Sequence, residues 1–182
     1  PVHHGFDVFH GYVSGNIDFH SHVDNAGIPD WWHNLEQIEE EVYVTDLITD
    51  HALQFIEKNQ KRPFCAYIAH EAPHWPYQGR DDQADRYPGV SFPSHGSRED
   101  KKEAYKEMVE AMDDNIGRVL KKVKELGLEQ ETFFFFCSDN GAVSMGNNGG
   151  LHGDKGSLWE GGHRVPGIAY WPGKIKPGVS HE

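Results

Sequence analysis

The sequence predicts an α/β fold, a largely parallel sheet flanked by helices. Three observations predict it. Two short, unbroken apolar runs at 64–69 and 132–137 have the length and composition of strands covered on both faces. Between them, residues 98–126 repeat Tyr105, Met108, Val109, Met112, Ile116, Val119, Leu120 and Val123 at helical spacing. Strand, helix and strand in that order form a β-α-β unit, whose crossover is right-handed.

The elements follow in order. Residues 1–42 carry little periodicity, and their Gly, Asp, His and aromatic content reads as loops with one short strand. His3, His4, His10, His20, His22 and His33 fall there, but their spacings match no zinc pattern and read as loop or surface histidines. From 43 to 59 an apolar face of Val44, Leu47, Ile48, Ala52, Phe55 and Ile56 predicts a helix. Thr45 and Asp46 suit its first turn and Lys58 its last. Pro63 ends that pattern. The 64–69 strand runs into His70-Glu71-Ala72-Pro73-His74-Trp75-Pro76, where two prolines stiffen the backbone around His74. Residues 78–100, broken by Pro88, Gly89, Pro93 and Gly96, read as a surface excursion of the kind that borders a substrate pocket. In the long helix Asp113 falls on the apolar stripe, where a carboxylate needs a partner. Gly127 is placed to cap it in the left-handed region. Residues 167–171 read as a further strand, and Pro172-Gly173 and Pro177-Gly178 as turns.

The bulk numbers bound the function. The 182 residues suffice for a real core, with 12% aromatics. A net charge of −12 argues against nucleic acid as partner, because a phosphate-backbone binder needs a basic face. No run reaches the length of a transmembrane helix. Cys65 and Cys137 both lie in the apolar runs and read as buried free thiols. The sequence begins at Pro1 and ends at Glu182 with neither a start nor an end signal, and reads as a fragment of a longer protein.

The chemistry gathers after the second run. Asp139 and Asn140 are adjacent oxygen donors at a strand end, suited to a hard cation such as Ca²⁺ or Mg²⁺, or to a plain Asx turn. Lys155 sits among glycines, either facing solvent or carrying a point charge to an anionic oxygen. Glu160 and Arg164, four apart, read as an ion pair, and Gly161-Gly162 as a place where backbones pass closely. In an open α/β sheet, ligands bind outside the carboxyl ends of the strands. A cation site, Lys155 and His74 at one such edge would bind an anion whose ester oxygen is protonated on leaving.

These residues resemble the arylsulfatase family of the alkaline-phosphatase-like superfamily. The resemblance rests on His4-Gly5-Phe6-Asp7 with Gly11-Tyr12, on Thr45-Asp46-Leu47, and on Arg62-Pro63-Phe64 leading to Pro73-His74-Trp75-Pro76. It continues through Ser138-Asp139-Asn140-Gly141 and is strongest over Lys155-Gly156-Ser157-Leu158-Trp159-Glu160-Gly161-Gly162-His163-Arg164-Val165-Pro166. It implies a sulfuric ester hydrolase in which Asp139 and Asn140 are two of the Ca²⁺ ligands. Lys155 then contacts the sulfate, and His74 helps to protonate the leaving alcohol. The implied nucleophile is a formylglycine made from Cys or Ser in a C/S-x-P/A-x-R motif. The implied substrates are small sulfate esters or sulfated carbohydrates, in an exported setting (periplasmic, secreted or lysosomal). Trp75, Trp159 and His163 are candidates to line a sugar or aryl pocket.

The nucleophile motif is missing: Cys65 is followed by Ala66-Tyr67-Ile68-Ala69 and Cys137 by Ser138-Asp139-Asn140-Gly141. The family's paired N-terminal aspartates, second lysine–histidine pair and closing small domain are not found either. The expectation is an incomplete catalytic domain, inactive alone and a poor binder of calcium. The alternatives are a phosphodiesterase or phosphonate hydrolase of the same superfamily, and a non-catalytic metal- or carbohydrate-binding relative.

Overall fold

The computed structural model describes residues 1–91, 95–143 and 145–180, so that Pro93, His181 and Glu182 lie outside the described residues. The chain divides into two compact units, Pro1–Lys122 and Val123–Glu182.

In the first unit, three strands of two residues each, β1 (His10–Gly11), β2 (Trp32–His33) and β3 (Glu36–Gln37), form an antiparallel sheet in that order. His10 faces His33, and Trp32 faces Gln37. One strand was expected here. Two-residue strands have no period for the sequence to display, so the other two are invisible in it.

The loops of this region are held by buried carboxylates. Asp18 is fully buried and accepts five hydrogen bonds: from the backbone N–H groups of His20 (3.0 Å), Ser21 (2.9 Å), Asp85 (2.7 Å) and Arg86 (3.0 Å), and from Gln78 Nε2 (3.0 Å). A buried charge is tolerated when its lone pairs are occupied in this way. The 78–100 stretch is therefore not only a surface excursion: Gln78 and Arg86 are both buried, and Tyr43 Oη donates to the Gln78 carbonyl at 2.9 Å. Ile17, Phe19, Val23, Trp31 and Tyr77 complete the apolar core around them. Nor are all the histidines surface groups. His22 is buried against the Val42 carbonyl (2.8 Å), and burial lowers its pKa. His10 lies between the rings of His33 and His51, and desolvation with those two neighbours lowers its pKa to about 4.

The first long helix, α1 (Val44–Asn59), occupies the span that its apolar spacing predicts and buries Val44, Leu47 and Ile56. The second, α2 (Lys101–Glu125), buries Ala104, Met108, Ala111, Asn115 and Val119, a spacing of three and four. Asp113 does not lie on the buried stripe; it is exposed. At about 100° per residue it stands roughly 200° round the helix from Ala111 and Asn115. The buried polar group is Asn115, whose Nδ2 donates to Asp46 Oδ1 at 2.6 Å and to the Ala111 carbonyl at 2.8 Å, tying α2 to α1. Arg80 adds to the tie through Asp46 and Asp114, both at 2.9 Å.

The 64–69 run departs from expectation. It joins no ladder among the described residues, and Cys65 and Tyr67 are exposed. Unbroken hydrophobicity asks for cover on both faces, but a parallel strand forms only where neighbouring strands supply its hydrogen bonds.

The second unit opens at the end of α2. Gly127 adopts φ +71°, its N–H bonds to the Lys124 carbonyl (3.0 Å), and the Leu128 N–H bonds to the Val123 carbonyl (3.0 Å). This pair of bonds is a Schellman cap, as the glycine's position predicts. Then come β4 (Phe134–Cys137), a single helical turn α3 (Glu160–His163) and β5 (Gly167–Tyr170). Both strands were expected; their pairing is antiparallel, from Phe134 opposite Tyr170 to Cys137 opposite Gly167. Phe133, Phe135 and Ile168 are each more than half exposed, and Cys137 is a free, exposed thiol. The expected burial of both cysteines is thus not found: Cys137 lies on a two-stranded sheet that by itself leaves both faces open, and Cys65 lies in the 64–69 run outside any ladder among the described residues. Gly173 and Gly178 take the left-handed φ values, +74° and +71°, that their turns require.

Candidate active site

The polar end of β4 passes directly into Ser138-Asp139-Asn140-Gly141. Ser138 Oγ donates to the Asn140 carbonyl (2.9 Å), and Asn140 Nδ2 donates to Asp139 Oδ2 (2.5 Å). The chain then meets two others at backbone distance. Gly141 N–H bonds to the Gly162 carbonyl (3.0 Å), Lys155 N–H to the Ala142 carbonyl (3.2 Å) and Gly161 N–H to the His152 carbonyl (2.8 Å). A Cβ on Gly141 would lie 1.7 Å from the Gly161 oxygen, and one on Gly161 would lie 2.0 Å from the Gly153 oxygen. Three strands of loop therefore cross where only glycine fits, as the sequence anticipates for Gly161-Gly162.

Asn148 stitches the same crossing. Its Oδ1 accepts from Ala142 N–H (2.7 Å), and its Nδ2 donates to the carbonyls of Ala142 and Gly153 (both 3.2 Å). Sequence reasoning missed this residue. Its one signal is an amide set within a glycine-rich loop that must cross itself.

Asp139, Asn140 and Lys155 thus belong to one knot of loops. Lys155 is exposed and makes no ion pair among the described residues, so its ammonium is available to an anion. Asp139 and Asn140 supply a carboxylate and an amide oxygen, the donor types a hard cation takes. As they stand, the amide nitrogen is turned to the carboxylate; the amide would have to present its oxygen to an ion. Two ligands of the usual six to eight fit the cation in kind and form part of its shell. Glu160 and Arg164 make the expected ion pair, Arg164 Nη1 to Glu160 Oε2 at 3.2 Å, with both groups half exposed or more. Such a pair contributes little stability.

His74 is held within the first unit. Its N–H bonds to the Glu71 carbonyl (2.9 Å), and its Nδ1 lies 2.8 Å from the Trp75 carbonyl. Because a carbonyl only accepts, Nδ1 carries the proton in that contact. The neutral ring then keeps an electron pair on Nε2, and the imidazolium has an N–H donor there. The preceding Glu71 is buried; desolvation pushes its carboxyl well above the usual range, against the Ile17 N–H (3.0 Å) and the nearby Arg86 charge. Trp75, half-buried, packs edge-on to His95 (4.9 Å) with the Arg86 guanidinium 5.6 Å from its ring centroid. Trp159 stands 61% exposed, edge-on to His152 at 4.9 Å, beside a Leu158 that is 97% exposed. A cavity of about 220 Å³ lies among Gln78, Asp82, Gln83, Asp85, Ser97 and Arg98, in the stretch expected to border a pocket.

The family model described as Sulfatase matches residues 2–182. The chain belongs to the sulfatase family. Among curated relatives, it is 34% identical to N-acetylgalactosamine-6-sulfatase of Mus musculus over 203 residues, covering 100% of this chain and 36% of that protein. It is 36% identical to arylsulfatase A of Bos taurus over 159 residues, 85% of this chain and 27% of that one. Among solved structures, Ps i-CgsB superposes with a TM-score of 0.78 at 28% identity, over 96% of this chain and 42% of that one. The same protein is also solved in complex with k-i-k-neocarrahexaose. The sulfatase fold is thus a mixed α/β one here, and the chain spans 36% of the length of the mouse relative.

Proposed function

We propose that this chain is part of a sulfuric ester hydrolase acting on a sulfated carbohydrate or a smaller sulfate ester. The observation that carries this reading is the loop knot: an exposed lysine and a carboxylate–amide pair, stitched together by close-packed glycines, in a chain matched by the sulfatase family over residues 2–182. The relatives named for sulfated sugars support the substrate class, as does the neighbour solved with an oligosaccharide.

The residues then divide the work. Lys155 holds a sulfate oxygen by its ammonium and offsets the anion's charge. Asp139 and Asn140 would hold Ca²⁺, or Mg²⁺, together with ligands from outside these residues. His74, its Nδ1 fixed on the Trp75 carbonyl, gives the Nε2 proton to the bridging oxygen as the S–O bond breaks and its electron pair passes to the alcohol. A formylglycine carried outside these residues would supply the nucleophile toward sulfur, and a cation held by Asp139 and Asn140 would supply Lewis-acid polarisation of the sulfate. The largely parallel sheet and the single catalytic domain belong to the same reading of the longer protein. So does an exported or lysosomal setting; no described helix is long and apolar enough to cross a membrane.

The test compares 4-nitrophenyl sulfate with a 4-nitrophenyl phosphate diester and a phosphonate ester, using the longer protein. Faster sulfate release is expected. Faster hydrolysis of the phosphorus esters would move the protein to another branch of the superfamily, and no turnover of any of them would favour a binding relative.

A further inference from the structure

Outside the loop knot, a second group of side chains has the makings of a site. His10 comes from β1, Glu40 from the segment before α1, and His51 from α1 itself. Each offers one donor atom, and the three atoms lie within 4.8 Å of one another. All three residues are half-buried.

The sequence folds so as to collect them. His10 and His33 are register partners on β1 and β2, so their side chains share a face, and the rings stack at 4.2 Å. His51 lies seven residues after the buried Val44, two turns on, and returns to the same side of α1. There its ring stacks on the other face of His10 at 3.8 Å. Glu40 is aimed by Trp31, whose buried indole Nε1 donates to Glu40 Oε2 at 2.6 Å, and His51 Nε2 donates to the same oxygen at 2.8 Å. His10 Nδ1 is buried with no hydrogen-bond partner. A buried polar atom of that kind calls for an occupant.

We propose that His10, Glu40 and His51 form a binding site for a zinc-class transition-metal ion, separate from the residues of the loop knot. Two imidazoles and a carboxylate are a donor set of the zinc type, with a fourth position left for water or another ligand. Imidazole nitrogen disfavours Ca²⁺ and Mg²⁺, which take oxygen. The indole of Trp31 plays the part of an outer partner that fixes the carboxylate's direction. Metal capture replaces the His51–Glu40 hydrogen bond. It also turns one of the stacked rings about its Cβ–Cγ bond, a broad torsion, so that the two nitrogen lone pairs converge. His33, stacked but not among the three donors, serves as the internal control.

The experiment titrates the full chain, stripped with a chelator, with Zn²⁺ alone and with Co²⁺ alone. Binding is followed by calorimetry, by the visible absorption of Co²⁺ and by the shift in unfolding temperature. One strong equivalent per chain is expected, with a Co²⁺ spectrum of low coordination number and a rise in unfolding temperature, since an ion bound to the folded state stabilises it. Glu40→Gln and His51→Gln abolish all three signals, Trp31→Phe weakens binding about tenfold, and His33→Gln leaves it unchanged. Near-ultraviolet dichroism of the isosteric Glu40→Gln checks that loss of binding is not loss of fold. Absence of a strong equivalent in the unaltered chain overturns the proposal, as does binding that survives both Glu40→Gln and His51→Gln.

Discussion

His70 shows how a single side chain couples this fold to pH. It precedes Glu71 in the segment leading to His74, and burial lowers its pKa to about 4, against a smaller upward pull from Asp46. The unfolded imidazole titrates near 6.5. Between those values the unfolded chain binds more protons than the folded one, so the contribution is complete above 6.5 and is lost as pH falls toward 4. The shift corresponds to about 3 kcal/mol. Glu71 acts in the opposite sense above the usual carboxylate range, because the folded state keeps its proton longer. The informative quantity is therefore a difference. Unfolding temperature measured from pH 7 to 4 should fall less steeply in His70→Gln than in the unaltered chain; parallel curves would remove His70 from the pH response. In the sequence Asp139, Asn140, Lys155 and His74 stood out by their neighbours, and the structure brings Asp139, Asn140 and Lys155 into one knot of loops. Asp18 and Asn115 did not, because they act by hydrogen bonds across 68 and 69 sequence positions, and polar residues that bond at long range leave no local pattern. Asn148 bonds only five and six positions away, but within a glycine-rich loop that has no period to single it out.

Among elements, the helices were the most legible. Both α1 and α2 lie where apolar spacing predicts them, and Gly127 ends α2 with the expected cap. Strand identity was legible for β4 and β5, while their antiparallel pairing was not, since an apolar run does not encode its partner. For the same reason the 64–69 run looked like a buried strand, but it joins no ladder among the described residues and leaves Cys65 and Tyr67 exposed. The loop knot was legible through its glycines. Gly161→Ala places a methyl group 2.0 Å from the Gly153 oxygen, so the backbone must shift. A loss of about 1–3 kcal/mol in denaturant unfolding is expected. Gly150→Ala, where a Cβ meets nothing within 4 Å, should stay within about 0.5 kcal/mol. Equal effects at the two positions would mean that the close crossing does not hold the loops together.

At the scale of the molecule, an acidic balance of −12 stands against the anionic ester proposed as substrate. The resolution is local. Arg80 neutralises two carboxylates of the first unit, Asp46 and Asp114, and Arg98 three, Asp82, Asp100 and Glu107, whereas Lys155 is left without an ion pair among the described residues. A cation spared in this way, beside oxygen donors suited to a metal, is what an anionic ester needs. Family membership was readable from motif order alone. The antiparallel pairing of β4 with β5 and the exposure of the 64–69 run were not, and the chain spans 36% of its mouse relative. The most direct measurement is the effect of His74→Ala in the longer protein on two sulfate esters, one with a good aryl leaving group and one a sugar sulfate with a poor one. If His74 protonates the leaving oxygen, kcat/KM for the sugar sulfate should fall by about 10²–10⁴, while 4-nitrophenyl sulfate, which needs little protonation, loses far less. An equal loss on both esters, or no loss on either, would contradict the role assigned to His74 and with it the proposed site.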